Sequence, residues 1–210
     1  MKRNYETLCF EKEPEWSKVP IGQIDCFQWE NEKAYRPKSS FQMCFVKNEG
    51  IYVRMQSDET RLRAVCAERD GRVWEDSCLE FFFSPAEDAG YLNTEMNPAG
   101  AFLAQVGKDR YNRQFLKELT FLSPLVHAKA GKGGWGVELF VPCKVFEEAF
   151  GVKFDASPGV YSGNFYKCGD LTESPHYGSF SPMRKELSLG FHDPEYFAII
   201  TVKEDVSKNG

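Results

Sequence analysis

Eleven short runs rich in aromatic and aliphatic residues, each bounded by Gly, Pro, Asn or Asp, leave this chain few architectures. They fall at residues 5–10, 23–29, 41–46, 51–55, 78–83, 91–96, 101–106, 125–130, 135–141, 159–167 and 198–202. Short, turn-bounded runs in this number read as the strands of a sandwich or barrel. In Trp135-Gly136-Val137-Glu138-Leu139-Phe140-Val141 every odd position is apolar, the period of a half-buried strand. Leu79-Glu80-Phe81-Phe82-Phe83 is almost continuously apolar, as a central strand is, yet it holds one carboxylate. Helical signal is sparse. Residues 144–150 place Val145, Phe146, Ala149 and Phe150 on one face, with Gly151 as C-cap. Residues 109–122 read either as a helix or as a long excursion. No repeat or linker divides the chain. The expectation is all-β: a single antiparallel β-sandwich of jelly-roll or immunoglobulin-like type over residues 1–202, with one or two short helices and a polar tail at 203–210.

Charge and cysteine usage narrow the function classes. Lys and Arg number 26 against 31 Asp and Glu, a net charge of −5 with no long basic run, which argues against a nucleic-acid partner. Aromatic residues reach 15% of the chain, suiting strands and aromatic-lined surfaces. No apolar stretch approaches the roughly 18 residues of a membrane helix. Met1-Lys2-Arg3-Asn4-Tyr5-Glu6 is not followed by an apolar run of signal-peptide length. Seven cysteines, consecutive ones at least twelve positions apart, form no Cys-x-x-Cys pair and no zinc knuckle. Free thiols and the lack of any Asn-x-Ser/Thr acceptor fit a reducing compartment, so the expected location is the cytoplasm, away from membranes.

Gly131-Lys132-Gly133-Gly134-Trp135-Gly136 matches G-x-G-x-x-G, but it precedes a strand instead of opening a helix, so a hairpin turn is the better reading. His127, His176 and His192 lie far apart and offer no local metal spacing. Asp76, Glu80 and Glu95 fall in or beside strand-like runs, where two carboxylates flanking a sugar would be the glycosidase device. An acid inside an apolar strand costs several kcal/mol unless paired, so Glu80 either has a partner or faces a polar groove. Trp74, beside a charged turn, reads as core packing or as a platform for the C–H face of a pyranose. The loop Glu173-Ser174-Pro175-His176-Tyr177-Gly178 stays open between ligand contact and turn chemistry.

Five segments in order resemble the carbohydrate-binding module family 9-like domains of the wider DOMON superfamily. Val73-Trp74-Glu75-Asp76-Ser77-Cys78-Leu79-Glu80 looks like W-x-D-x-x-E, here with Trp and Glu six positions apart. Tyr91-Leu92-Asn93-Thr94-Glu95-Met96-Asn97-Pro98-Ala99-Gly100 is similar to Y-x-N-x-x-x-N-x-x-G. Residues 135–142 are similar to W-x-x-E-x-x-I-P. Gly163-Asn164-Phe165-Tyr166-Lys167-Cys168-Gly169-Asp170 is close to N-F-Y-x-C-G-D, and Phe191-His192-Asp193-Pro194-Glu195-Tyr196-Phe197 looks like W-x-D-P-x-x-F-G.

The resemblance implies a β-sandwich that binds a mono- or oligosaccharide without cleaving it, in polysaccharide catabolism. Two rings would clamp a terminal sugar in an aromatic-lined groove. By position, Trp74 and Phe191 are those rings, and Asp76, Glu80, Asn93, Glu95 and Asn97 supply polar contacts. No catalytic residue, metal ligand or cofactor is assigned. Family members often hold structural calcium, for which this sequence offers no nameable ligand cluster. The chain departs from the pattern at Phe191 (Trp in the motif), Ala198 (Gly) and Ser188 (Asn). The alternatives are a hydrolase using Asp76, Glu80 or Glu95, a haem or metal binder drawing on Met43, Met55, Met96, Met183 and the histidines, and a sandwich serving as a protein-interaction module.

Overall fold

The computed structural model describes residues 1–29, 34–186 and 190–206, and the Ser188 position falls outside these. The strands are β1 (Asn4–Phe10), β2 (Gly22–Ile24), β3 (Ser39–Val46), β4 (Gly50–Ser57), β5 (Cys78–Ser84), β6 (Tyr91–Met96), β7 (Phe102–Gly107), β8 (Arg113–Phe115), β9 (Leu125–Gly131), β10 (Gly134–Pro142), β11 (Gly159–Cys168), β12 (Tyr177–Ser179) and β13 (Ala198–Glu204). They join into one curled mixed sheet in the order β8-β7-β6-β5-β11-β13-β1-β3-β4-β10-β9, with β12 on β11 and β2 on β3. No helix is long and apolar enough to cross a membrane.

The all-β expectation stands, with one modification to the antiparallel reading. β1 runs parallel to both β13 and β3, while the other pairs are antiparallel. The first strand is inserted between the last strand and β3, where no hairpin could place it. Residues 109–122 resolve into β8 and a 3-10 turn at Leu116–Glu118. The run at 23–29 keeps strand geometry only through Ile24, then makes a single bridge from Cys26 to Ser179. β13 continues through Glu204, which pairs with Cys9, and so takes in the first two residues of the expected tail, whose last four, 207–210, lie outside the described residues. The one α-helix among the described residues, α1 (Cys143–Phe150), ends where Gly151 adopts φ 67° and its N–H bonds to the Glu147 carbonyl.

Binary pattern explains the core. Trp135, Val137, Leu139 and Val141 of β10 are buried while Glu138 between them is exposed, as the alternation predicts. β9 and β10 are joined by the two-residue turn Lys132-Gly133, so the glycine motif is a hairpin. At Gly134 the backbone takes φ +128°, and a Cβ would lie 2.1 Å from the Ser57 carbonyl oxygen. The sandwich closes across its layers where Phe41 of β3 stacks on Phe165 of β11, with centroids 3.5 Å apart at 11°.

β5 and the second half of β11, from Gly163 to Cys168, are buried on both faces. Leu79, Phe81 and Phe83 of β5 enter the main core, whereas Cys78 and Phe82 join a second apolar cluster with Tyr91, Tyr166 and Phe191. Lys167 of β11 points to the main-core side and is fully buried. Its ammonium meets Glu59 Oε2 at 2.9 Å, His176 Nε2 at 2.7 Å and the Cys168 carbonyl at 2.8 Å, using all three donors. An ammonium only donates, so His176 Nε2 accepts and Nδ1–H donates to the Ser174 carbonyl at 2.8 Å. Trp135 Nε1 donates to the same Glu59 oxygen at 3.2 Å. The buried set ties the loop after β4, β11 and the loop before β12 to one point.

Burial, with Lys167 beside it, pushes the His176 imidazole from 6.5 down to about 4. Between those values the unfolded chain takes up a proton that the folded chain refuses. This contribution is complete above pH 6.5 and is lost as pH falls through about 4. The stability advantage of wild type over His176→Gln, read by urea unfolding, is expected to shrink from pH 7 to pH 4.5. An advantage that grows on acidification would contradict a neutral buried imidazole.

Candidate functional site

One face of β5, β6, β7 and β11 carries a cavity of about 560 Å³. The sheet provides its floor with Glu80, Glu95, Leu103, Gln105 and Cys168. Aromatic side chains Trp29, Trp74, Phe115, Tyr177 and Phe191 stand around it. Asp70, Arg110, Arg113, Asp170 and His192 complete the polar part. A larger depression of about 840 Å³ crosses β4, β10 and β9, but its only aromatic residue, Trp135, is 96% buried with its indole turned to Glu59. Of these two, the smaller cavity joins partly exposed rings to converging polar groups, the usual form of a small-molecule site.

The floor follows from strand register. Glu80 lies directly opposite Glu95 across β5–β6 and opposite Tyr166 across β5–β11, and Glu95 lies opposite Leu103. Glu80 is both partnered and groove-facing, so the two readings open at the sequence level combine. Cys168 Sγ donates to Glu80 Oε1 at 2.8 Å, and Asn93 Nδ2 donates to Glu95 Oε1 at 2.9 Å. Burial, reinforced by Cys168 and Glu95, holds the Glu80 carboxyl well above its ordinary range. Burial pushes Glu95 up to about 7 against the pull of Arg113 and Asn93. Carboxyls raised in this way can donate as well as accept hydrogen bonds near neutrality.

The surroundings are held by loops. Trp74 sits in a 3-10 turn at Val73–Glu75, half-buried, and its carbonyl accepts the Asp170 N–H at 3.1 Å. Phe191 is only 8% exposed, stacked on Tyr166 with centroids 4.2 Å apart and packed against Trp29 at 5.4 Å. It supports the groove more than it offers a free face. Trp29 and Tyr177 are more exposed rings at the same cavity. Arg113 donates to His192 Nε2 at 3.3 Å, so the opposite ring nitrogen carries the proton and donates to Tyr91 Oη at 3.0 Å. Burial, with Arg113 and Arg110 nearby, holds His192 well below its usual pKa, in agreement with a neutral ring.

Of the seven expected contact residues, Trp74, Glu80, Glu95 and Phe191 line the cavity. Asp76, Asn97 and Asn93 do not. Asp76 Oδ2 accepts from Cys66 N at 2.8 Å and from Asn97 Nδ2 at 2.9 Å, and Arg63 pairs with its other oxygen at 3.3 Å. Asn97 Oδ1 accepts the Ala99 and Ala101 N–H groups and closes the β6–β7 turn. These two are buried brackets, because every polar atom they bring is already used. Asn93 acts through Glu95, fixing its carboxyl. Tyr177, from the loop left open between ligand contact and turn chemistry, also lines the cavity, as do Trp29, Gln105, Arg113, Cys168 and Asp170, which no local pattern singles out as contacts.

Among the described residues, the one cluster of three His, Cys, Asp or Glu ligand atoms is Cys78, Glu80 and Cys168. Two thiols and one carboxylate do not suit calcium, which takes oxygen ligands. Nor do the histidines gather as a haem site would need: His176 is committed to Lys167, His192 to Tyr91 and Arg113, and Met43 and Met55 sit in the main core.

The sequence pattern of carbohydrate-binding family 9 matches residues 14–202. Among solved structures, a Bacteroides uniformis ATCC 8492 protein assigned to carbohydrate binding is 25% identical, with a TM-score of 0.81 over 97% of this chain and 100% of that one. A carbohydrate-binding module family 9 from Caldicellulosiruptor kristjanssonii in complex with glucose aligns at TM-score 0.69 and 10% identity, over 98% of both chains. Its complex with cellotriose aligns at 0.68 and 11%, over 99% of this chain and 96% of that one. At such identities the likeness is one of fold. None of the curated proteins matches the chain.

The two kinds of acid predict opposite mutational behaviour. Asp76→Ala strands the Cys66 N–H, removes an acceptor from Asn97 Nδ2 and breaks the Arg63 ion pair, and is expected to cost about 2–4 kcal/mol in chemical denaturation. Glu80→Gln keeps an acceptor for Cys168 and is expected to leave stability at pH 7 nearly unchanged. Equal losses in the two variants would contradict the division between bracket and floor.

Proposed function

The chain belongs to carbohydrate-binding family 9, and from that premise we propose that its groove holds the terminal unit of a mono- or oligosaccharide without cleaving it. The observation that carries this reading is the half-buried Trp74 ring beside a floor of two raised carboxyls, Glu80 and Glu95. A pyranose presents a C–H face to an indole and a ring of hydroxyls at its edge. Hydroxyls both donate and accept, and protonatable carboxyls on the floor match either role. Gln105, Arg113 and Asp170 add a fixed acceptor and donor set around the same volume. Trp29 and Tyr177 supply the further aromatic surface that Phe191, largely covered by its neighbours, does not.

The floor geometry supports binding over hydrolysis. Glycosidases place their two carboxyl groups on either side of the scissile bond. Here Glu80 and Glu95 rise side by side from opposed positions on one sheet face, and Asp76 lies off the cavity in its own bonding web. The solved family 9 relatives in complex with glucose and cellotriose make glucose-based ligands the first to try.

Calorimetry with glucose, cello-, xylo- and manno-oligosaccharides tests the reading. Saturable binding is expected for at least one of them. Trp74→Ala is expected to weaken it at least about tenfold, the equivalent of about 1.4 kcal/mol, with the unfolding midpoint little changed. Wild-type affinity in folded Trp74→Ala, or no heat across the panel, would overturn the assignment of this groove.

A further inference from the structure

Two thiols, Cys168 on the groove floor and Cys78 behind it, take no part in the sugar recognition described above. Cys78 and Cys168 stand directly opposite each other at the shared end of the β5–β11 ladder. Glu80 lies two residues along β5 from Cys78, so strand alternation turns it to the same face. One ligand atom from each of the three lies within 4.8 Å of the other two, and all three side chains are buried. Cys168 Sγ is already 2.8 Å from Glu80 Oε1. Glu80 and Cys168 both line the groove, whereas Cys78 lies behind them in the second apolar cluster.

We propose that Cys78, Cys168 and Glu80 form a three-ligand site for a soft divalent cation of the zinc class, with its fourth position reached from the groove. The donor set argues for the class of ion. Thiolates select zinc-like ions, whereas calcium and magnesium take oxygen ligands. Zinc binds sulfur at about 2.3 Å and carboxylate oxygen at about 2.0–2.2 Å, so its ligand atoms lie roughly 3–4 Å apart. The observed cluster needs only small side-chain rotations to meet that spacing. Binding releases one proton from each thiol and any proton held on Glu80, leaving two thiolates and a carboxylate around a doubly charged ion. Three protein ligands with one open position is the arrangement of zinc sites that accept an exchangeable oxygen ligand, here water or a sugar hydroxyl. Rigid, fully paired strands carry all three ligands, which favours a preformed site over one assembled by the ion. The metal site does not depend on the groove holding a sugar.

The test uses the whole reduced protein with a phosphine reductant and Co²⁺ as the spectroscopic probe. One equivalent of Co²⁺ is expected to give thiolate-to-metal charge-transfer absorption in the near ultraviolet and strong tetrahedral visible bands, both removed by one equivalent of Zn²⁺. Cys78→Ser and Cys168→Ser should each lose most of the charge-transfer intensity, while Cys26→Ser, on the half-exposed bridge to Ser179, keeps it. Glu80→Gln, nearly the same size and expected to fold, should weaken Co²⁺ binding by at least the roughly 10–100-fold that even a second-shell change costs. Circular dichroism establishes that each variant is folded. A reduced, folded wild-type protein without the charge-transfer band would overturn the proposal. So would a band that survives in both cysteine variants, or unaltered affinity in Glu80→Gln.

Discussion

The burial of β5 and of the second half of β11 on both faces is the constraint from which the remaining architecture follows. A strand points successive side chains to opposite sides, so a strand buried twice must satisfy two environments with interleaved residues. Leu79, Phe81, Phe83 and Phe165 fill the sandwich core. Cys78, Phe82, Tyr166 and Cys168 build a second, smaller cluster on the other side. Glu80 is the one carboxylate in that second set on β5, and it lies where the apolar cluster opens into the groove. Placed one residue earlier or later, it would face the main core, at a cost of several kcal/mol.

Two polar webs hold this arrangement in register. On the core side, Lys167 draws Glu59, His176 and the Cys168 carbonyl to one point, so β11 is fixed immediately next to a groove residue. At the end of the sheet, Asp76 and Asn97 join the loop carrying Cys66 to the β6–β7 turn. Both webs use all the hydrogen-bonding capacity they bring near their centres, which is how buried polar groups avoid the cost of lost hydration. The groove acids differ in kind. Glu80 and Glu95 each have a protein donor, yet burial keeps their protons on at pH values where an ordinary carboxyl is ionised.

Most of the fold could be read from the residues because it rests on local pattern. The alternation in β10, the glycine turn before it, the apolar run of β5 and the Gly151 cap all describe short segments whose period decides their structure. β8 and β12 were missed because three residues are too few to show a period. The parallel placement of β1 depends on pairing with the far end of the chain, which no local pattern records. The site was legible to a lesser degree. Trp74, Glu80 and Glu95 come from neighbouring segments whose strand register brings them together. Asp76 and Asn97 have the same residue chemistry as true contacts, and only their tertiary partners reveal them as brackets. The loop before β12 divides between both readings left open for it: Tyr177 lines the groove and His176 is buried against Lys167. Trp29 and Arg113 come from distant segments and carried no signal beyond being aromatic and basic.

Four tryptophans make the central claim directly observable. Trp29 and Trp74 line the groove, whereas Trp135 is sealed in the main core and Trp16 lies under Arg54, 4.2 Å from the ring centroid. Assigned indole N–H resonances in a ¹⁵N-labelled sample, followed through a titration with cellotriose, report all four at once. Shifts in Trp74 and Trp29 that saturate together, with Trp16 and Trp135 unmoved, are the predicted result. Saturable shifts confined to Trp16 or Trp135 would place the ligand elsewhere and contradict the groove as the binding site.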